Sequence, residues 1–373
     1  MTAKRIPFLS LTPGEDAAAV AAAIDRVVQR GWFILGPEVD AFETEFARAS
    51  GAAHAIGVGN GTDAIALTLR ALGIGAGDEV ITSPLSAAFS ALGVMMTGAR
   101  PVFADVDPNR LTIDPRLVEA AISPRTRAIL PVHLYGQPAD MAAIERIAAT
   151  HHLAIVEDCC QAHLATANGR AVGTIGVAGA FSFYPTKNLG ALGDGGAVVT
   201  NDRALADRLR RLRNGGQSAH YRHDEFGVNS RLDDMQAAVL RARLAFLPRW
   251  TERRRALASR YRRQLDHVDA SSVRVLPELD AGHVYHLFVV RCAARTALQK
   301  HLTSFGVDTL VHYPISIPRQ AALASQSPAA CPEADRACAE VLSLPLHPAL
   351  GDDDVDAVAR CVAQPSRAAE TAR

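Results

Sequence analysis

Stretches of helical periodicity alternate with short apolar runs through the first two thirds of the chain. Helical spacing of apolar residues recurs at 17–30, 39–49, 86–96, 115–122 and 141–149. The apolar runs are 55–58, 79–82, 101–104, 128–132, 153–156, 180–183 and 197–200. Runs that are apolar throughout are typical of strands covered on both faces, so the pattern predicts a mostly parallel sheet between two layers of helices.

The last third of the chain follows a different pattern. A mostly helical stretch at 234–266 precedes two strand candidates, 286–291 and 307–311, with a helix predicted between them at 296–305. We therefore expect an α/β protein in two parts. The predicted parts are a large domain over 1–245, a smaller C-terminal α/β domain over 246–365, and a frayed tail over 366–373.

The charge balance does not favour a nucleic-acid-binding protein. Lys plus Arg and Asp plus Glu number 39 each, and no run of like charge would attract a polyanion. No stretch is apolar for the length of a membrane span, and residues 1–9 lack the apolar core of a signal peptide. We expect a cytoplasmic protein with neither a nucleic-acid nor a membrane partner.

Six cysteines are scattered along the chain, at positions 159, 160, 292, 331, 338 and 361. No pair among them has the spacing of a zinc site, and a chain of 373 residues does not depend on disulfides for its core. We expect reduced, mostly buried thiols and no bound metal.

The first candidate site is the glycine-rich segment GVGNGTDA at 57–64, directly after a predicted strand. In an open α/β sheet, ligands bind beyond the carboxyl ends of the strands, and a helix that begins there offers free N–H groups to a phosphate. The segment matches a dinucleotide fingerprint poorly, because the third glycine position holds Thr62 or Ala64. An ordinary turn in which Thr62 or Asp63 caps the next helix also fits the sequence.

An aspartate and a lysine follow two further predicted strands. Asp158 could hold a positive charge, such as the protonated ring nitrogen of pyridoxal phosphate (PLP), although it also fits a helix cap. Lys187 lies in a Pro- and Gly-rich loop, where a partly dry site would favour a neutral, Schiff-base-forming amine; a solvated surface lysine is the alternative. Ser182 and Thr186 add hydroxyls that suit a phosphate. Together, the phosphate loop, the acid and the lysine predict a PLP site.

These residues belong to a longer ordered series of motifs. The series is GWFILGPEV (31–39), NGTDA (60–64), GDEVI (77–81), GARPVFADVD (98–107), PVHLYG (131–136), EDCCQAH (157–163), SFYPTKNLG (182–190), GVNSRLD (227–233), HYP (312–314) and LSLPLHP (342–348). Over nearly its whole length, the chain thereby resembles the DegT/DnrJ/EryC1/StrS family of sugar aminotransferases. The resemblance implies a fold type I PLP enzyme, with a mostly parallel sheet between helices and a smaller C-terminal α/β domain.

The resemblance also implies roles for individual residues. Lys187 would bind the cofactor aldehyde and later move the proton, Asp158 would pair with the pyridine nitrogen, and Gln161 would hydrogen-bond the ring oxygen. The residues implied to hold the phosphate are Gly61, Thr62, Ser182 and, from the neighbouring subunit of a homodimer with shared active sites, Asn229. The implied substrate-side positions are His163, Tyr184, Arg231, His312 and Tyr313.

One position departs from the family pattern. Family members carry an aromatic residue that stacks on the cofactor ring, in a segment such as TFxAT. The matching residues 86–90 are SAAFS, with Ala87 in the aromatic position. Phe89, two residues later, either supplies the stacking ring or is a core phenylalanine on a helix.

The segment around the lysine resembles one branch of the family. Members acting at sugar C4 carry SFH before the lysine and TTGEGG after it, whereas residues 182–196 are SFYPTKNLGALGDGG, as in the branch acting on 3-keto sugars. We therefore expect a nucleotide-linked 3-keto-6-deoxyhexose on dTDP, or a UDP-3-keto sugar, with L-glutamate as donor and pyridoxamine phosphate as the aminated cofactor.

The sequence also allows alternatives to this function. A 4-keto sugar or cyclitol aminotransferase is the alternative within the family, and a non-catalytic PLP-binding regulator is the alternative from another class. Sugar dehydratases related to the family keep a histidine where Lys187 stands, and a nicotinamide dehydrogenase requires the fingerprint that residues 57–64 lack. The lysine therefore favours amino transfer.

Overall fold

The computed structural model describes residues 5–326 and 329–364, except for the side chain of residue 325. The α-helices are α1 (Ala17–Arg30), α2 (Pro37–Ala49), α3 (Gly61–Ala71), α4 (Phe89–Met95), α5 (Pro115–Ala120), α6 (Met141–His151), α7 (Arg203–Leu212), α8 (Asp234–Leu244), α9 (Leu247–Leu265), α10 (Arg295–Ser304), α11 (Pro332–Glu340) and α12 (Asp352–Ala363). The predicted tail at 366–373 lies outside the described residues. Within those residues, no helix is long and apolar enough to cross a membrane.

The strands are short. They are β1 (His54–Val58), β2 (Glu79–Thr82), β3 (Arg100–Phe103), β4 (Thr126–Leu130), β5 (Ala154–Asp158), β6 (Thr166–Ala167), β7 (Arg170–Ala171), β8 (Ala178–Ser182), β9 (Gly196–Thr200), β10 (Gln217–Ala219), β11 (Arg222–His223), β12 (Arg274–Val275), β13 (Phe288–Arg291) and β14 (Val341–Leu344). All seven apolar runs of the first two thirds correspond to strands of this series, so their prediction is confirmed.

In the described part of the chain, seven strands form a mostly parallel sheet in the order β1-β9-β8-β5-β4-β2-β3. Strand β9 runs antiparallel to both of its neighbours, and the other neighbouring pairs are parallel. One face packs apolar side chains such as Phe46 and Phe183, and the other packs Ile65 and Val198. Burial on both faces explains why these strands lack polar alternation, and it confirms the predicted fold class.

The last third forms a smaller sheet in the order β12-β13-β14. Its core includes Tyr261, Phe288 and Val358, contributed by α9, β13 and α12. Ile6 joins this cluster and pairs with Val307, so the N-terminal segment packs with the C-terminal third of the chain. The domain boundary at 245 and 246 falls between α8 and α9 and stays a prediction.

In the last third, one strand assignment was wrong and one strand was not predicted. Residues 307–311 form isolated bridges, Ile6 to Val307 and Leu310 to Ser343, instead of a continuous ladder. The strand that completes the small sheet is β14, which pairs antiparallel with β13 and was not predicted. It begins directly where α11 ends, so no turn signal separates the two elements in the sequence.

Three predicted loops meet at one edge of the large sheet. Strands β1, β5 and β8 run in the same direction, because β5 is parallel to β8 and both β1 and β8 are antiparallel to β9. The residues at or beyond their carboxyl ends include Gly61, Asp158 and Ser182. Helix α3 begins at this edge with Asn60 as its cap, whose Oδ1 accepts a hydrogen bond from the Asp63 amide at 2.9 Å.

Candidate active site

A cavity of about 1000 Å³ opens at this carboxyl edge. Ten of the thirteen site residues predicted from the sequence line it: Gly61, Thr62, Phe89, Asp158, Gln161, Ser182, Tyr184, Lys187, His312 and Tyr313. The edge of an open α/β sheet is where ligands bind in such folds, so the location agrees with the topology.

The start of helix α3 forms one end of the cavity. Backbone N–H groups in the first turn of a helix have no intrahelical partner and attract an anion. A Cβ atom on Gly61 would lie 2.7 Å from Cys160 Sγ and 2.8 Å from Ser182 Cβ, which is too close for any larger residue. Thr62 and Ser182 line the same end with their hydroxyl-bearing side chains. This end therefore suits a phosphate.

Asp158 lines the cavity and is 4% exposed. Its Oδ2 accepts a hydrogen bond from Ser90 Oγ at 2.7 Å, and its Oδ1 accepts one from the Cys160 amide at 3.1 Å. Ser90 Oγ also lies 3.2 Å from Ser86 Oγ. Among the described residues, no lysine, arginine or histidine forms an ion pair with this carboxylate. A buried, oriented carboxylate without a cation is suited to a cationic ligand atom.

Lys187 is half-buried in the loop after β8. The loop turns tightly: the Lys187 amide donates to the Tyr184 carbonyl at 2.8 Å, and a Cβ on Gly190 would lie 2.5 Å from the Pro185 carbonyl oxygen. Burial lowers the pKa of the Lys187 amine, and the nearby Cys160 and Asp158 oppose that shift. A lowered pKa increases the neutral, nucleophilic fraction of the amine at neutral pH.

Gln161 links the backbone at Tyr135 to the side chain of Tyr313. Its Oε1 accepts a hydrogen bond from the Tyr135 amide at 2.7 Å, and its Nε2 donates to Tyr313 Oη at 2.9 Å. The Tyr135 hydroxyl donates to the backbone carbonyl of His312. Burial lowers the pKa of His312 to about 4, with a contribution from the charge of Lys187. His312 is therefore neutral at pH 7.

Two aromatic residues at the cavity are strongly exposed. Phe89, the first residue of α4, is 62% exposed, and Tyr184 is 53% exposed. Ala87 lines the cavity as well, so a small side chain lies at the position where the resemblance implies an aromatic ring. The stacking role of Phe89 stays a prediction.

Three predicted site residues do not line the cavity. His163 is 0% exposed and packs against Phe181 and Phe183, with ring centroids 5.6 and 5.7 Å apart. Burial lowers its pKa to about 3. Asn229 is exposed, and Arg231 donates a hydrogen bond to Asn214 Oδ1 at 2.9 Å.

Ser90 and His286 are among the lining residues that were not predicted from the sequence. Ser90 belongs to the segment considered for its aromatic residue, but its hydroxyl holds Asp158. His286 is 7% exposed, lines the cavity, and has its Nδ1 3.3 Å from Asn188 Oδ1. The signal for Ser90 was its position after β2 at the ligand-binding edge; His286 precedes a strand of the other sheet, and no local pattern points to it.

These residues fit PLP. The helix end with Thr62 and Ser182 suits its phosphate, Asp158 suits its ring nitrogen, and Lys187 suits its aldehyde. The spare cavity volume beyond a single small ring leaves room for a substrate. The donors and acceptors therefore match the group that the sequence predicted.

Comparisons with known proteins agree with this geometry. A model of the DegT/DnrJ/EryC1/StrS aminotransferase family matches residues 15–363. The chain is 50% identical over 350 residues to dTDP-3-amino-3,4,6-trideoxy-alpha-D-glucose transaminase of Streptomyces venezuelae, covering 93% of this chain and 92% of that protein. It is 44% identical over 345 residues to UDP-N-acetyl-3-dehydro-alpha-D-glucosamine 3-aminotransferase of Acidithiobacillus ferrooxidans, covering 92% of each.

A solved structure gives the same result. The crystal structure of S. venezuelae DesV, determined in complex with a ketimine intermediate, matches with a TM-score of 0.93 at 48% identity. The match covers 96% of this chain and 97% of that one. The chain therefore belongs to the DegT/DnrJ/EryC1/StrS aminotransferase family and is an aminotransferase.

Proposed function

We propose that this enzyme uses PLP to transfer an amino group from L-glutamate to a nucleotide-linked 3-keto sugar. The observation that carries the proposal is that Lys187 and Asp158 line one cavity whose far end is the start of helix α3. When bound, PLP supplies an electron sink for the carbon that loses its proton. Asp158 holds the ring nitrogen, and Ser182 and Thr62 hold the phosphate.

Lys187 is the residue that binds the cofactor aldehyde and moves protons. Its amine lies in a half-buried loop where burial lowers its pKa, so it can act as a nucleophile and then as a base. His312 and Tyr313 line the same cavity, and Gln161 holds the Tyr313 hydroxyl at 2.9 Å. These side chains, with Tyr184 at the mouth, are placed to contact the sugar.

A dTDP-linked 3-keto-6-deoxyhexose is the substrate that we propose first, and a UDP-3-keto sugar second. Two lines of support agree. The segment at 182–196 resembles the 3-keto branch of the family. The two relatives described above are named for a dTDP-linked 3-amino sugar and for a UDP-linked 3-dehydro sugar. Amination at C4 or of a cyclitol remains the alternative to be tested.

We propose that the active unit is a homodimer with shared active sites. Trp32, Phe33 and Ile34 are 56, 49 and 44% exposed, which is unusual for three successive large apolar residues. This apolar segment lies beside Asp233, with which Ile34 forms an isolated bridge. Asn229, four residues earlier, is exposed on the same chain segment. A partner that covers residues 32–34 could therefore bring Asn229 to the phosphate of the neighbouring site.

The first test is a visible absorption spectrum of the PLP-loaded protein before and after addition of L-glutamate. Wild type should convert from the aldehyde form of the cofactor to the amine form, and Lys187→Ala should not. A Lys300→Ala variant, which changes an exposed lysine, is the matched control. If no amino donor converts wild type, a non-catalytic PLP-binding regulator replaces the proposal.

The second test identifies the acceptor. The amine form of the cofactor should return to the aldehyde form more rapidly with dTDP- and UDP-3-keto sugars than with a dTDP-4-keto sugar or an inosose. The return of the aldehyde spectrum measures these rates. A preference for the 4-keto sugar or for the inosose would overturn the 3-keto assignment while leaving the aminotransferase activity intact.

A further inference from the structure

Lys187 also lines a second chamber, with a volume of about 440 Å³. The N-terminal segment at 8–16 covers it, and helices α8 and α9 and the loop at 346–349 complete its wall. It shares four lining residues with the active-site cavity: Thr186, Lys187, His286 and His312. A ligand in this chamber would therefore lie next to the reacting amine.

Arg254 lines the chamber and is 7% exposed. Its Nη1 donates to the backbone carbonyls of Tyr285, His286 and Leu346 at 3.3, 3.3 and 2.9 Å. Its Nε has no hydrogen-bond partner, and no described carboxylate forms an ion pair with it. Burial without a counter-charge lowers the pKa of Arg254 to about 10. Nη2 forms no hydrogen bond within the described residues, so this guanidinium still offers a donor to a carboxylate.

Apart from Arg254 and Lys187, the charged groups that line the chamber are already paired. Arg243 Nε donates to Asp16 Oδ2 at 2.8 Å, and Glu15 accepts hydrogen bonds from Arg249 and from Trp250 Nε1. These pairs contribute no net charge, so an entering anion meets the single positive charge of Arg254 beside that of Lys187. A monocarboxylate matches one guanidinium, whereas a diphosphate carries more charge than this chamber compensates.

The three histidines of the chamber, His286, His312 and His347, do not add to its charge. Burial, together with the charge of Arg254, lowers the pKa of His347 to about 4. Burial also lowers the pKa of His286, to which the charges of Lys187 and Arg254 both contribute. His286 is thus within electrostatic reach of both cations. Because Lys187 and Arg254 line the same chamber, a ligand whose amine lies at Lys187 can carry a carboxylate at the end of its side chain to Arg254, as an acidic amino acid does.

We propose that the second chamber binds the side-chain carboxylate of the amino donor, with Arg254 as the residue that anchors it. The inference rests on the proposed function, because it assigns the donor of that reaction to a place beside Lys187. It also explains why a cation is buried here without a protein carboxylate. The ligand chemistry is a dicarboxylic amino acid, and the enzyme would discriminate against donors with neutral side chains.

The test compares Arg254→Gln with Arg254→Lys and with Arg255→Gln. Arg255 is the neighbouring residue on α9, donates to the His283 carbonyl at 2.9 Å, and does not line the chamber. In the glutamate half-reaction, Arg254→Gln should raise the half-saturating glutamate concentration about 10- to 100-fold. Arg254→Lys should recover part of the loss, and Arg255→Gln should resemble wild type.

Two further measurements separate anchoring from a structural role. The half-saturating concentrations of the nucleotide sugar and of L-norvaline, a donor without a side-chain carboxylate, should not change in Arg254→Gln. Glutarate, which has no amine, should bind the wild-type holoenzyme in a calorimetric titration, and Arg254→Gln should abolish that binding. Equal loss for every substrate, with a lower melting temperature, would overturn the proposal.

The outcomes also distinguish this inference from the proposed function. If no donor converts the wild-type cofactor, the proposed function fails, but glutarate binding that depends on Arg254 still establishes the anion site. If Arg254→Gln does not fold, the wild-type measurements test the inference. A half-saturating concentration for glutamate no lower than that for norvaline, together with no glutarate binding, would overturn it. Competition of glutarate by inorganic phosphate but not by glutamate would also count against it.

Discussion

At the scale of single residues, the environment of Asp158 depends on one hydroxyl. Ser90 Oγ donates to Asp158 Oδ2 at 2.7 Å, inside a site where both residues are buried. A hydrogen bond to a charged, buried acceptor contributes more than one between neutral groups, because it fixes the orientation of the carboxylate and offsets its desolvation. Ser90 is therefore a positioning residue for the carboxylate that we propose faces the cofactor ring.

Replacing this hydroxyl should weaken catalysis without removing it. We expect Ser90→Ala to lower kcat/KM about tenfold, the effect of losing roughly 1.4 kcal/mol, and Ser90→Thr to stay near wild type. Steady-state kinetics with saturating PLP measures both. A purely structural role for Ser90 would instead lower the melting temperature in Ser90→Ala and leave kcat/KM unchanged.

Lys187 should reduce the stability of the cofactor-free protein. Burial lowers the pKa of its amine below the usual 10.5, so folding disfavours the charged form. The unfolded chain then binds more protons than the folded one between the two pKa values, and stability rises with pH across that range. The cost is full below the lowered pKa and disappears above 10.5.

Removing this amine should stabilise the empty enzyme at neutral pH. Lys187→Met should raise the melting temperature at pH 7 by about 2 °C, with the gain shrinking as the pH approaches 10.5. Differential scanning fluorimetry of cofactor-free protein across that range measures the effect, with Lys300→Met at an exposed position as the control. A gain that is the same at every pH would contradict the desolvation argument.

The location of a site residue could be predicted from the sequence where the order of strands alone places that residue. Lys187 and Asp158 each follow or end a strand of the parallel sheet, so the edge they share follows from the strand pattern. Arg254 could not be predicted in this way. It is the second residue of an Arg-Arg-Arg run at 253–255, and only the rotation of α9 against the rest of the fold decides which of the three is buried.

At the scale of elements, the contact between helix α3 and the loop after β8 sets the phosphate end. A Cβ at Gly61 would meet Cys160 Sγ and Ser182 Cβ at 2.7 and 2.8 Å. Gly61→Ala must therefore push the helix start away from β8, where overpacking costs about 1–3 kcal/mol. The N–H groups and Ser182 would then no longer converge on one phosphate.

This displacement should appear as weaker cofactor binding. We expect Gly61→Ala to raise the Kd for PLP roughly tenfold or more, and Gly193→Ala to leave it unchanged. Gly193 lies in the same region, but its nearest neighbour would be 3.6 Å from an added Cβ. Fluorescence titration of cofactor-free protein with PLP measures both, and equal affinities for the two variants would contradict a phosphate site at Gly61.

Helices and strands were predicted correctly where a regular apolar pattern extends over many residues. The prediction failed where pairing with a distant strand determines which segment joins the sheet. Helix α1 was predicted at its observed bounds, because fourteen residues of amphipathic spacing end at a left-handed Gly31. The apolar and β-branched residues of 307–311 predict a strand. Only Val307 and Leu310 form β-bridges, and both bridges are isolated. Which of the two segments, 307–311 or β14, joins the small sheet depends on which one pairs with β13. That pairing is set by the tertiary fold and not by the local sequence.

At the scale of the whole molecule, the proposed active site is incomplete in one chain. Asn229 and Arg231 carry predicted roles but do not line the cavity of their own chain, and the exposed residues 32–34 lie beside the same segment. A two-fold dimer that covers this surface would place the same segment of each chain at the site of the other, because a two-fold interface repeats every contact.

The shared site can be tested by mixing two inactive chains. Lys187→Ala removes the amine, and Asn229→Asp should abolish activity by placing a carboxylate against the phosphate of the partner's site. In a mixed dimer, one site carries both changes, while the other combines an intact Lys187 with an intact Asn229. Co-expression with two affinity tags should therefore restore about a quarter of wild-type activity, since about half of the dimers are mixed and each has one native site.

The alternative gives a different result with the same proteins. If Asn229 served the site of its own chain, every site in the mixture would carry one of the two changes, and activity would stay at the level of the separate variants. A mixture of Lys187→Ala with Lys187→Arg, which damages the same position twice, is the control that must stay inactive under both models. Tandem affinity purification isolates the mixed dimer, where half of wild-type activity per dimer would establish that each chain completes the other's site.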